Sequence, residues 1–308
     1  MDIQKILQND FSHIENITER DYWFVRTDQG YYFETYYDNG FLAIGWNEIT
    51  LNDIPNINVY GSAIRAKVRG NPDNAINKIE KLSSQEGKIT GILNKNKAFY
   101  DLKKGDVVIM PSVGSQFLAF GVILDDKPYN GQGLDCSYNK RRKVNWLKYE
   151  NAKNLDAKFA YVKKSFHAIS KIDEQFHDVI DNFMFDSYIK DGFGNISLKI
   201  KLRDEINYAK LKMLLDNLIE IGRQYNKANG ITEDLDQATI KLNLQSPGFV
   251  NLKNIGRSLI ISSSVVLSAC DSDDGHKAAA DTFIQQNGID STLVENTIEL
   301  LEDFEIEK

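Results

Sequence analysis

Cysteine is almost missing from this chain. Cys136 and Cys270 are the only two in 308 residues, and neither belongs to a C-x-x-C pair, so a disulfide framework is excluded. Two free thiols fit a reducing compartment, and a cytoplasmic location is expected. The N-terminal MDIQKILQNDF has no long apolar stretch behind a basic start, so a secretory signal is not expected. Long hydrophobic runs are also lacking. The most apolar one, Leu259 to Ala269, is eleven residues long and contains four serines. A membrane span needs about 20 residues, so this run reads as a buried helix or strand pair, and no membrane association is expected.

Signatures of enzymes and metal sites are equally sparse. The four histidines (His13, His167, His177, His276) show no H-x-x-x-H or H-E-x-x-H spacing for zinc. His167 and His177 read as polar-face histidines. Asp271-Ser272-Asp273-Asp274-Gly275 begins like a calcium loop, but its twelfth position is Thr282 instead of glutamate. No glycine-rich phosphate loop and no G-x-S-x-G elbow occurs. A restriction-type nuclease needs an acid two residues before a strand lysine, so that carboxylates hold a metal at the scissile phosphate. The strand ISLKIKL has Ser197 before Lys199, and ATIKLNL has Thr239 before Lys241. No cofactor, no metal and no catalytic residue is therefore expected.

What is present is enough for real cores. At 42% hydrophobic and 26% charged residues, wholesale disorder is excluded, and the length suits about two domains of roughly 100–200 residues each. The net charge of −7 hides an uneven distribution: residues 1–60 sum to −7, residues 61–170 to +10 and residues 171–308 to −10. All three tryptophans and eleven of the fourteen tyrosines lie before residue 171. A basic, aromatic-rich front and an acidic, aliphatic back suggest two domains with different tasks, 1–165 and 166–308.

Periodicity gives the elements. DYWFVRTD and FLAIGW read as strands, with a loop or one helical turn in the tyrosine-rich YYFETYYDNG between them. Ala75, Ile76, Ile79 and Leu82 share a helical face, which predicts a helix over 73–86 capped by Asp73 and stopped by Gly87. A second helix is predicted over 88–100. DVVIMP, QFLAFGVI and KVNWLKY are three further strands, the first entered through a turn at Lys104-Gly105-Asp106. Five strands with two helices inserted would curl into a small open barrel. In the back half, Ile172, Phe176, Val179, Ile180 and Phe183 have helical spacing; ISLKIKL and ATIKLNL alternate as strands; Ser246-Pro247-Gly248 turns the chain into FVNLKNI. Residues 204–228 form the clearest helix, ended by Asn229-Gly230. Two amphipathic helices, broken at Asn287-Gly288, fill 278–304. The expected class is α+β: an N-terminal pseudo-barrel with inserted helices, then a separate C-terminal α+β domain.

Five pieces come in a particular order: WFVR (Trp23–Arg26), AIGW (Ala43–Trp46), GDVVIMP (Gly105–Pro111), FGVI (Phe120–Ile123) and RKVNW (Arg142–Trp146). This succession resembles the PUA-like superfamily, the barrel of YTH, EVE and ASCH domains, over about residues 20–150. The resemblance implies a nucleic-acid-binding pseudo-barrel that takes one modified base into an aromatic pocket, often in a restriction or phage-defence setting.

The residues themselves suit that chemistry. An aromatic face returns about 1–3 kcal/mol to a base removed from its stack. Trp23, Trp46 and Trp146, with Tyr36 and Tyr37, are the candidate walls, and Trp23 and Trp46 lie on strands that could bring them together. Arg26, Arg65, Lys67, Arg69, Lys140, Arg141, Arg142 and Lys143 are candidate phosphate contacts, which give affinity with little sequence preference. Each of these residues also fits a plainer role, the tryptophans closing a barrel and the basic runs forming solvated faces. The expected function is a non-catalytic DNA- or RNA-binding protein, with the acidic half holding a protein partner or forming a homodimer. A nuclease with a metal site assembled from scattered acids, and a protein–protein regulator whose barrel has lost its ligand, are the alternatives.

Overall fold

The computed structural model describes residues 15–17, 19–164, 167–200, 206–243, 248–269, 274–304 and 306–307. The Ser246-Pro247 turn and the Asp271–Asp273 start of the calcium-like loop lie outside the described residues. Two compact units emerge: a front unit, Arg20–Ile180, and a back unit made of Met1–Glu19 with Asp181–Lys308. The first strand, β1 (Glu15–Ile17), pairs in parallel with Tyr188–Lys190 and so belongs to the back unit. A remote parallel pairing leaves no local trace in a sequence, so residues 15–17 read from the sequence alone as part of the front domain.

The front unit carries β2 (Tyr22–Val25), β3 (Phe41–Ile44), β4 (Val107–Pro111), β5 (Phe117–Ile123), β6 (Tyr129–Asn130), β7 (Lys140–Asn151) and β8 (Ile169–Lys171). They form a curled half-barrel sheet in the order β3-β7-β5-β4-β2-β8, with β6 also on β7. All five residues of β4 are buried, which explains its unbroken apolar run, because a strand covered on both faces loses the usual alternation. At the irregularity beside Gly121, β5 passes Trp146 so closely that an added Cβ would lie 2.6 Å from the indole. Only glycine fits there.

The helices of this unit differ from expectation. YYFETYYDNG contains α1 (Phe33–Asp38). A helix not foreseen, α2 (Gly61–Gly70), buries Ile64 and Val68. Residues 73–86 do not form one helix. Two 3-10 turns, Pro72–Asn74 and Ile76–Lys78, are separated by Ala75 in the left-handed region at φ +49°. The first of these turns is capped by Asn71, whose side chain accepts from the Asp73 amide. Gly87 stops nothing, because α3 runs unbroken from Leu82 to Tyr100 and buries Ile89, Ile92, Leu93 and Phe99. A mid-helix glycine costs only about 1 kcal/mol, and three turns of apolar burial outweigh it. The short α4 (Phe159–Val162) follows β7, and α5 (His177–Met184) contains the division between units.

Two apolar clusters of the front unit bear on the site. One lies under the sheet, around Phe41, Leu42, Val108, Met110 and Ile123. The other joins Ile49, Ile54, Ile64, Val68, Ile76, Ile89 and Ile92. Trp46 packs against both.

The back unit is α+β as expected. The helical spacing of Ile172 to Phe183 agrees with α5, which ends at Met184, and SYIK forms β9 (Ser187–Lys190), which is followed by β10 (Phe193–Ile200). These join β11 (Thr239–Asn243), β12 (Gly248–Ile255) and β13 (Ile306–Glu307) in one sheet of order β1-β9-β10-β12-β11, with β13 on β10. The long helix is α6 (Tyr208–Asn229). Asn207 caps its start by accepting from the Lys210 amide, and Gly230 ends it at φ +63°. Leu211, Leu214, Leu218 and Ile221 are buried beneath it. The Leu259–Ala269 run lies in α7 (Arg257–Ala269), followed by α8 (Asp274–Gln286) and α9 (Ser291–Asp303). Among the described residues no helix is long and apolar enough to cross a membrane.

Candidate functional site

A cleft of about 460 Å³ lies within the front unit, lined by Trp46, Asp73, Asn74, Gly87, Lys88, Gly91, Ile92, Lys95 and His167. That volume is within the range of small-molecule pockets, roughly 300–1,000 Å³. One long side is a single stripe of α3. Gly87 and Gly91 stand one turn apart, with Lys88 and Lys95 seven apart on the same face. An added Cβ at either glycine meets nothing within 4 Å, so their small size opens the cleft instead of relieving a clash.

Trp46 forms another part of the lining and is held in an unusual way. It adopts φ +57°, a conformation that strains a bulky L-residue and points toward a functional role. Lys140 explains how it persists. This lysine starts β7 opposite Ile44, is fully buried, and extends past the end of β3. Its Nζ donates to the Trp46 carbonyl at 2.7 Å and to the Ile49 carbonyl at 2.9 Å. Burial pushes its pKa down to about 8, against the opposing pull of Glu48 and Asp53. On the open side, Lys95 Nζ sits 5.4 Å from the Trp46 ring centroid, a cation–π distance.

The third wall, the 71–75 turn, is tied to the same loop. Glu48 accepts from Asn71 Nδ2 at 2.9 Å and from Asn74 Nδ2 at 2.6 Å. Asn74 Nδ2 also donates to the Val68 carbonyl at 2.8 Å, and Lys88 Nζ donates to the Asn74 carbonyl at 2.6 Å. Trp46 lines the cleft at positive φ, Ala75 at positive φ follows the lining residue Asn74, and these hydrogen bonds tie the two segments together.

The other residues singled out from the sequence fall elsewhere. Trp23 Nε1 donates to Asp106 Oδ2 at 3.1 Å. Its strand β2 is separated from β3 by β7, β5 and β4, so Trp23 and Trp46 are not strand neighbours. Arg26 donates to the Lys163 carbonyl at 3.2 Å. Tyr36 is fully buried, with Cys136 Sγ 3.6 Å from its hydroxyl; burial, and then Cys136, raises its pKa. Tyr37 stacks on Trp146 at 6.2 Å and meets Tyr149 edge-on at 5.1 Å, and Trp146 Nε1 donates to the Tyr36 carbonyl at 2.9 Å. Those rings face one another. Arg65 and Arg69 on α2 both pair with Glu86, a half-exposed arrangement worth little stability.

The basic run at 140–143 is where the surface reading fails. Arg141 is buried and donates to the carbonyls of Tyr138, Gly133 and Cys136, with its guanidinium 4.4 Å from the Phe41 ring. Arg142 is buried, pairs with Asp125 at 2.7 Å, and donates to the carbonyls of Tyr100 and Asp125. Only Lys143 of that run is exposed. Buried guanidiniums that satisfy loop carbonyls tie the half-barrel to its loops and do not present themselves to a phosphate. His177, read as a polar-face histidine, stacks on Tyr22 at 3.9 Å.

Asp73, Lys88, Lys95 and His167 were not foreseen as a group. The signal for two of them was a Gly87-Gly91 and Lys88-Lys95 spacing, hidden once a helix end was placed at Gly87.

A family model described as Domain of unknown function (DUF8426) matches residues 23–170, a little under half of the chain and nearly the whole front unit. Neither a curated protein nor a solved structure matches the chain. Among the described residues no group of three or more histidine, cysteine or acidic side chains could hold a metal ion.

Proposed function

We propose that the front unit is a nucleic-acid-binding module that takes a single base, removed from its stack, against the face of Trp46. The observation that carries this reading is the fixed indole: an aromatic residue in a strained backbone conformation, its main chain held by a buried ammonium, lining a cleft that Lys88 and Lys95 also line. Stacking on such a face returns about 1–3 kcal/mol per base. In this reading Lys88 and Lys95 meet the phosphate, and residues 61–170 carry a net charge of +10, which draws in a polyanion. The likeness of the sequence to PUA-like barrels supports the same reading and adds recognition of a modified base in a restriction or phage-defence setting; that setting rests on the likeness alone. Binding is non-catalytic. The acidic back unit, which repels a phosphate backbone, serves as the protein-partner or self-association module.

The test is a salt-series titration of the full chain against single- and double-stranded DNA and RNA, with and without modified bases. Affinity that falls with salt and favours an unpaired or modified base supports the module. Absence of binding at low salt removes it.

A further inference from the structure

The cleft makes a specific chemical demand on its occupant. The Asn74 amide is turned inward to Glu48 and Val68. Lys88 and Lys95 are donors only. His167, also in the lining, can donate or accept. Asp73 is the one side chain in the lining that only accepts, and its carboxylate has no hydrogen-bond or ionic partner among the described residues. The turn carrying it is fixed by the Asn71 cap at 3.0 Å, by the two bonds to Glu48 and by the left-handed Ala75.

A carboxylate beside a stacking wall selects a base by the donors on its edge. Guanine offers two adjacent donors, N1–H and the N2 amino group, which match the two oxygens of a carboxylate. Adenine places an acceptor nitrogen beside its amino group, and cytosine does the same. Uracil and thymine flank their one N–H with two carbonyls. All three of those edges set lone pairs against the Asp73 oxygens. Lys88 and Lys95 supply the complementary charge for a phosphate. We infer that the cleft is specific for a guanine-type base bearing a phosphate, with Asp73 as the specificity-determining residue. The inference rests on the base-binding reading above.

A free nucleotide and a nucleic-acid strand present the same edge, so the experiment uses both. The full chain is titrated with GMP, IMP, AMP, CMP and UMP, and with pentanucleotides carrying one G, A or C among thymines, alongside Asp73→Asn. GMP is expected to bind at least about tenfold tighter than AMP, CMP or UMP, since one good bidentate pair discriminates by about 1–3 kcal/mol. IMP, which lacks the amino group, should fall between. The single-guanine strand should show the same ranking, and whichever guanine ligand binds tighter identifies the source. Asp73→Asn should erase the preference while AMP binding changes little; Asp73 is exposed, so the variant folds, which circular dichroism checks. Equal binding of all bases, or a guanine preference that survives Asp73→Asn, overturns the inference alone. Binding of none of these ligands overturns it together with the reading beneath it.

Discussion

Lys140 Nζ donates to the main-chain oxygen of Trp46 at 2.7 Å, so a fully buried cation fixes the backbone of the residue whose indole forms the cleft wall. The charge itself is costly there. An unfolded lysine keeps its proton up to about 10.5, whereas Lys140 in the folded chain gives it up at about 8. Between those values the unfolded chain holds more protons, so stability rises with pH across the window. The penalty is present in full below about 8 and relieved above about 10.5. Its size is about 3 kcal/mol, from about 1.36 kcal/mol per pKa unit. Lys140→Met should lack this rise. Urea denaturation of both proteins from pH 7 to 10.5 checks it; a wild-type minus variant difference that stays flat contradicts it.

Arg142 should behave as a structural residue. Its side chain is buried against Asp125, and removing one partner of a buried pair costs about 3–5 kcal/mol. Arg142→Ala is expected to lose that much in urea denaturation. Exposed Lys143, its neighbour, should change stability by no more than about 0.5 kcal/mol when made alanine. Equal, small effects at both positions would return Arg142 to the surface.

Gly91 sits inside α3 with open space where a Cβ would go. Gly91→Ala should stabilise the chain by about 0.8 kcal/mol through helix propensity. A thermal or urea midpoint that falls instead would mean that the helix is broken there.

Glu48 ties the Asn71–Ala75 turn to the Trp46 loop through two side-chain hydrogen bonds. Glu48→Ala leaves two amide donors without their acceptor and should cost about 1–3 kcal/mol. Amide hydrogen exchange should quicken at Asn74 and Ala75, whose amides close the turn, before it quickens in the sheet. Unchanged exchange at those amides would show that the turn stands without Glu48.

The sheet and the long helix were legible because their burial is periodic. β4 is an unbroken apolar run because both faces are covered, and α6 repeats Leu211, Leu214, Leu218 and Ile221 at 3.6-residue spacing. The cleft was legible only in Trp46. Its other residues come from three separate segments, and the turn between them depends on Ala75 in a conformation that alanine rarely adopts. The run Lys140–Lys143 misled for a related reason. Four consecutive basic residues look like a surface, and the groups that satisfy Arg142 lie 17 and 42 residues away at Asp125 and Tyr100. No local pattern encodes such partners.

The most direct test labels the three tryptophans with fluorine at the indole 5-position. Their resonances are assigned with Trp23→Phe, Trp46→Phe and Trp146→Phe, and the full chain is titrated with the single-guanine pentanucleotide. The Trp46 resonance should shift saturably while those of Trp23, bonded to Asp106, and Trp146, stacked on Tyr37, stay in place. A shift at Trp23 or Trp146 with Trp46 unmoved, or no shift at all, would contradict base binding in this cleft.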